Sequence, residues 1–229
     1  MGFVPASSAS LVAFVSILLF VVAAFVAAVV RSSGGRYEPV RWVMVGLACY
    51  LGGLTILVGT GALATLPMSG LPLFFGLVFI VSVAVGTSRI GGRLAATVPV
   101  GVLVGFQAFR LPLELVLHAW AAQGTIPTTM TWSGQNLDII SGIVALAAAP
   151  MAGRSRAAAW VANVVGSVLL VNVVRVAVMS SPVPFGWGVT PPLLLALHLP
   201  YALIGPIAVG GAIIGHIVLT RALITRRRR

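Results

Sequence analysis

A chain of 229 residues that is 59% hydrophobic and 7% charged lies far from a soluble globular domain, where about a quarter of residues are charged. Its net charge of +11 comes from 14 arginines and no lysine, against Glu38, Glu114 and Asp138. Without lysine there is no Schiff base, which excludes a retinal protein. Long apolar runs point to membrane-spanning helices, not to the short alternating strands of a barrel.

The fold class expected is all-α: a polytopic transmembrane bundle of seven helices, one domain over residues 1–229, with no soluble domain. The basic charge is read as topology information, so no nucleic-acid partner is expected. Cys49 is the single cysteine, which excludes an intramolecular disulfide and argues against a thiolate metal site. No basic residue precedes the first apolar run and Arg31 follows it. That is the reverse of a secretory signal's charge order, so the first helix is read as uncleaved.

In chain order, the first helix is expected over 11–30, followed by a polar loop with Arg31, Arg36 and Arg41. The second, 42–66, carries Gly46, Gly52, Gly53, Gly59 and Gly61, small residues that permit close helix approach. A tight turn over 67–70 leads to a helix over 71–87 and a basic turn over 89–93. The fourth helix, 94–122, is long for one span, and Pro99 and Pro112 are placed to kink or break it. The longest loop, 124–136, is uncharged and rich in hydroxyl and amide groups. Helices follow over 137–151 and 157–179, separated by a basic turn. The loop 180–192 presents Phe185 and Trp187, which suit an interfacial belt. A helix over 193–224, or starting only at Pro200, with Pro200 and Pro206 interrupting its first half, ends the series. Arg226, Arg227, Arg228 and Arg229 close the chain and read as an anchor for anionic lipid headgroups. No internal repeat suggests an inverted-repeat transporter.

Twelve of the fourteen arginines fall after the first, third, fifth and seventh helices, and the other loops hold none. By the positive-inside rule this places the N-terminus outside and the C-terminus in the cytoplasm of a bacterial inner membrane. Only Arg110 and Arg175 stand apart. Arg110, Glu114 and His118 are spaced by four and share one helix face. Counting from Arg93 puts Arg110 roughly 25 Å from the inner edge, and counting from Arg156 puts Arg175 roughly 28 Å from it. Asp138 and His198 open their helices from the same outer side.

Charges at mid-helix cost about 2.5–3.5 kcal/mol each, and pairing relieves that cost. The expected pairs are Arg110 with Glu114, and Arg175 with Asp138 or Glu114. The candidate site is therefore a charge-balanced polar pocket near the external face, built from Arg110, Glu114, His118, Asn136, Asp138, Asn172 and Arg175, with Gln107 nearby. Plainer readings stand beside it. Arg110 can snorkel, Asn136 and Asp138 can serve a helix N-terminus, and Asn172 and Arg175 can simply hydrogen-bond between helices. His216 and Arg221 read as cations on a helix C-terminal dipole. His118, His198 and His216 read as interfacial or hydrogen-bonded side chains, so no metal or cofactor is expected.

No nucleophile elbow, phosphate loop or HExxH motif is present. The run Phe109-Arg110-xxx-Glu114-xxx-His118 precedes Met130-Thr131-xx-Gly134-x-Asn136-x-Asp138-Ile139. Together with Asn172, Ser181-Pro-Val-Pro-Phe185, Pro200 and His216-xxxx-Arg221 it resembles a group of small uncharacterised bacterial integral membrane proteins, over residues 105–223. The resemblance implies no activity. Three readings stay open. The first is a pocket that binds or passes a small polar or anionic ligand. The second is a membrane-embedded enzyme on a lipid-linked or periplasmic substrate, with Glu114 and His118 as acid and base and Arg110 or Arg175 holding an anion. The third is an accessory subunit with oligomer or partner contacts on small-residue faces.

Overall fold

The computed structural model describes residues 2–66 and 70–225. The expected turn over 67–70 lies largely outside the described residues, and the lipid anchor at Arg226, Arg227, Arg228 and Arg229 lies wholly outside them. The chain is 78% helical with no strand among the described residues. Among the described residues six helices are long and apolar enough to cross a membrane, and a seventh, Ile139–Ala152, is apolar but shorter. Their length and composition are those of a multi-pass membrane protein.

Helix α1 (Ser8–Ser32) starts at Ser7, whose hydroxyl accepts from the Ser10 amide. Helix α2 (Tyr37–Gly59) stops short of the expected boundary because Gly61 turns the chain at φ 73° into the one-turn α3 (Ala62–Thr65). Helix α4 (Gly70–Thr87) is followed at once by α5 (Arg89–Thr97), which the Ser88 hydroxyl caps. The expected basic turn at 89–93 is thus helical. Pro99 disfavours helical geometry at the residue before it, and Val98 is extended at φ −78°, ψ 128°. The expected long helix 94–122 is therefore broken there.

It resumes as α6 (Val100–Phe106), tightens into a 3-10 turn at Gln107–Phe109, and continues as α7 (Arg110–Ala122). The irregularity falls before Arg110. Pro112 sits in the first turn of α7, where a missing N–H costs least. Helix α8 (Ile139–Ala152) and helix α9 (Arg156–Ser180) match expectation within two residues. Of the two expected starts of the last helix, 193 and 200, the later fits the span Tyr201–Thr225, and the stretch from 193 is irregular. That stretch holds 3-10 turns at Leu195–Leu197 and Tyr201–Leu203, then a π-helical turn at Ile204–Val209 containing Pro206. Regular α10 runs only from Gly210 to Thr225, so His198 lies outside any helix.

The bundle has one arginine-rich end. There the Arg221 guanidinium donates to the carbonyls of Gly86 (2.7 Å) and Ser88 (2.8 Å), and Arg156 donates to the Leu223 carbonyl. Val29, Leu94, Ala152 and Leu223 pack into one core beneath them. At the opposite end Phe14, Trp120, Met130, Val176 and Tyr201 form the larger core, and the Trp120 indole donates to Ser10. Large apolar side chains such as Phe20, Phe79 and Val171 face outward, as expected where hydrocarbon is the solvent.

Candidate functional site

Helix α8 has 14 residues, about 21 Å of rise against a hydrocarbon core of about 30 Å. The loop before it makes up the difference by entering the bundle. Thr125, Ile126, Met130, Thr131, Asn136 and Asp138 are all buried. Irregular backbone at such depth is tolerated only inside protein, and this loop supplies its own partners. Gln135 N donates to the Thr129 carbonyl, while Gly134 N and Asn136 N donate to that of Thr131. A side chain at Gly134 would collide with the backbone of Thr128 and Thr129, so the turn requires glycine.

That loop delivers Asn136 and Asp138 to the face of α7. Asn136 is fully buried. Its amide nitrogen donates to both carboxyl oxygens of Glu114 (2.9 and 3.1 Å) and to the Met130 carbonyl (3.1 Å), and its oxygen accepts from Asp138 N (3.1 Å). Asp138 stands at the N-cap of α8, yet its carboxylate makes no cap bond. It takes a two-pronged interaction from Arg110 instead, Nε to Oδ2 at 2.6 Å and Nη2 to Oδ1. Such bidentate pairing is the strong form of a charge-assisted hydrogen bond.

The second Arg110 nitrogen, Nη1, donates to the Gly166 carbonyl (3.0 Å) and meets Nε2 of His216 (3.2 Å). A guanidinium has no acceptor, so Nε2 accepts and the imidazole hydrogen sits on Nδ1. Nδ1 then donates to Asn163 Oδ1 (2.9 Å), Asn163 Nδ2 to Thr220 Oγ1 (2.7 Å), and the Thr220 hydroxyl to the His216 carbonyl (2.8 Å). One directional network therefore joins α7, the loop, α9 and α10. Close approach makes it feasible. A Cβ on Gly166 would strike the His216 ring, and one on Gly142 would strike the α7 backbone at Leu111.

The sequence candidates separate into two groups. Arg110, Glu114, Asn136 and Asp138 come together, each no more than 5% exposed. Arg110 pairs with Asp138, and Glu114 pairs with Asn136, so the expected Arg110–Glu114 pair is replaced. Arg175 does not reach the cluster. It is exposed on α9, bonded to Asn172 (2.9 Å) and placed over the Trp187 ring at 5.5 Å. Asn172 in turn donates to the Gln135 carbonyl, 2.8 Å. Asn172 and Arg175 thus serve the rim. His118, one turn beyond Glu114, stacks on Trp132 with centroids 4.1 Å apart, and its buried Nδ1 has no partner among the described residues. Gln107 lies buried beside α10, donating to the Ala212 carbonyl at 3.3 Å.

With Arg175 outside, the buried set holds one guanidinium and two carboxyl groups, so it is not charge-balanced. Because α5 is a separate helix, Arg110 lies ten residues into its span, about 15 Å deep, nearer mid-bundle than the outer face. His216 is also corrected. It is a buried member of the network and not a cation at a helix end. Asn163, His216 and Thr220 were not among the candidates. Asn163 is the one signal the sequence offered, an amide seven residues into an apolar helix.

A cavity of about 90 Å³ adjoins Arg110, Glu114 and Asp138, and its other walls are almost wholly apolar, with Phe74, Phe109 and Leu170 among them. Arg110–Asp138 is the only ion pair among the described residues. Glu114 therefore faces that cavity with an amide as its hydrogen-bond partner and no ion pair, the nearby Arg110 being taken by Asp138. No family model, curated protein or solved structure matches this chain, so the site is read from its own geometry.

Proposed function

We propose that this chain crosses a bacterial inner membrane seven times, with the arginine-rich end in the cytoplasm, and takes up and passes a proton at Glu114. The observation that carries the reading is a buried carboxyl, 1% exposed, beside a small cavity and without an ion pair of its own, the neighbouring Arg110 being paired with Asp138. Intramembrane carboxyls of this kind mark ion or proton pathways. With Arg110 and Asp138 charged, the cluster is neutral when Glu114 holds a proton and carries one negative charge when it does not.

This favours a proton over the small polar or anionic ligand that the sequence alone suggested. A hard metal cation asks for about six oxygen ligands, and besides Ser181 the cavity's other walls are almost wholly aromatic and aliphatic. A proton asks only for the carboxyl and neighbours that donate and accept. His118 lies one turn away toward the uncharged loop, and the His216–Asn163–Thr220 chain extends toward the arginine-rich end. In this reading Arg110 and Asp138 hold the geometry and Glu114 is the titrating group.

Purified protein in vesicles with an internal pH-sensitive dye tests it. An imposed potential should drive dye-reported proton entry that Glu114→Gln abolishes and Arg175→Ala leaves intact. Equal entry with Glu114→Gln would overturn the reading.

A further inference from the structure

A second cavity, of about 590 Å³, runs between α2 on one side and α1, α4, α5, α6 and α10 on the other. Its walls are almost wholly apolar and include Phe25, Trp42, Gly46, Tyr50, Phe106 and Gly211. The way α2 is attached explains it. The buried residues of α2 are Leu54 and Val58, which pack with Leu71, Phe74 and Ala202. From Tyr37 to Tyr50 no residue of α2 is buried. Toward the arginine-rich end only half-buried side chains, Val40 and Val43, pack against the core, so the helix is held more loosely there and leaves the groove between.

Along α2 the groove extends from Trp42 to Leu51, a rise of about 14 Å. Along the opposite wall it extends from Ile207 to Val218, about 17 Å. Both match one leaflet, half of a hydrocarbon core about 30 Å thick. The open end carries the charge. The Arg41 guanidinium lies 5.1 Å from the ring of Trp42, and Arg89 directly precedes the wall residue Ile90. Arg31, Arg36 and Arg93 belong to the same end, against one acid, Glu38. Tryptophan and arginine at that level are the groups that hold a lipid headgroup.

We infer that this groove binds one anionic phospholipid of the leaflet at the arginine-rich end, an acyl chain lying between α1 and α2 and the phosphate at Arg41 and Arg89. The groove has the length and apolarity of the chain and the charge of the headgroup. The site is separate from the Glu114 cavity and does not depend on how Glu114 is read.

The test starts from protein reconstituted in vesicles of phosphatidylcholine and phosphatidylglycerol with identical acyl chains. After extraction in mild detergent, native mass spectrometry counts the lipids retained. One phosphatidylglycerol per chain is expected in preference to phosphatidylcholine. Arg41→Ala should lower that preference about fivefold, the effect of one arginine near the headgroup. Gly46→Leu should remove the bound lipid, because a Cβ there meets nothing within 4 Å and the longer side chain enters the groove. A photoreactive acyl chain on phosphatidylglycerol, used with the unaltered protein, should cross-link to peptides containing Phe25 and Trp42. Cross-links spread evenly over all outward-facing helices would overturn the inference, as would retention unchanged by Gly46→Leu. The Tyr50 hydroxyl is buried in the wall without a partner among the described residues. Retention lost with Tyr50→Phe but kept with Arg41→Ala would also overturn it, pointing to an occupant with a deep hydrogen-bond acceptor, such as a quinone.

Discussion

Asp138→Asn is the sharpest probe of the buried network. Asp138 accepts two N–H groups of Arg110, and the other Arg110 contacts, to Gly166 and His216, are neutral acceptors. An asparagine retains one acceptor oxygen but turns its own NH2 toward the second guanidinium N–H. Arg110, 2% exposed, is then a buried cation without its paired counter-charge, with only the Glu114 carboxyl nearby. Breaking one side of such a pair costs about 3–5 kcal/mol, a fall in melting temperature on the order of 10 °C. The double variant Arg110→Met, Asp138→Leu removes both charges and should recover most of this. A residue of about 1–3 kcal/mol remains, because the Gly166 carbonyl and His216 Nε2 lose their donor. Equilibrium unfolding in mixed micelles measures all three. A loss below about 1 kcal/mol for Asp138→Asn would refute the pairing, as would a double variant as unstable as the sum of its singles.

Other consequences can be read with the same assay. Gly166→Ala places a methyl 2.8 Å from His216 Nε2, closer than packed atoms allow, and should cost about 1–3 kcal/mol; a neutral result would mean that the α9–α10 spacing is wrong. Arg175→Ala should move the melting temperature by no more than about 2 °C, since the residue is exposed and its contacts lie at the rim; a large loss would return Arg175 to the buried cluster. His198 stacks on Phe3 with centroids 4.0 Å apart, and desolvation lowers its pKa from the ordinary value. The unfolded chain therefore binds the proton more readily. Stability from this stack is complete above about pH 6.5 and declines as pH falls below it. A melting-temperature profile should show the decline, His198→Phe should remove it, and an unchanged profile would exclude the stack as its source.

Helix order was legible because apolar runs and arginine turns carry it directly. The polar groups at residues 110, 114, 136 and 138 were legible because charge in hydrocarbon must find partners. Who pairs with whom was not. A spacing of four suggested Arg110 with Glu114, but the loop carrying Asn136 and Asp138 enters the bundle and outcompetes that local pair. A short α8 was the visible hint. Depth was misjudged because Val98, held extended before Pro99, ends α5, so residues counted toward the membrane span belong elsewhere. His216 looked like a helix-end cation because its partners, Asn163 and Arg110, lie 53 and 106 residues away in sequence. Arg175 could not be separated from the cluster by depth alone, since facing direction on α9 decides it.

The central claim is that Glu114 exchanges a proton inside the bundle, and infrared difference spectroscopy across a pH step tests it most directly. With protein in vesicles, a deuterium-sensitive carboxyl band should appear as pH is lowered and be absent from Glu114→Gln. The same band, unchanged in position and amplitude in Glu114→Gln, would contradict the assignment.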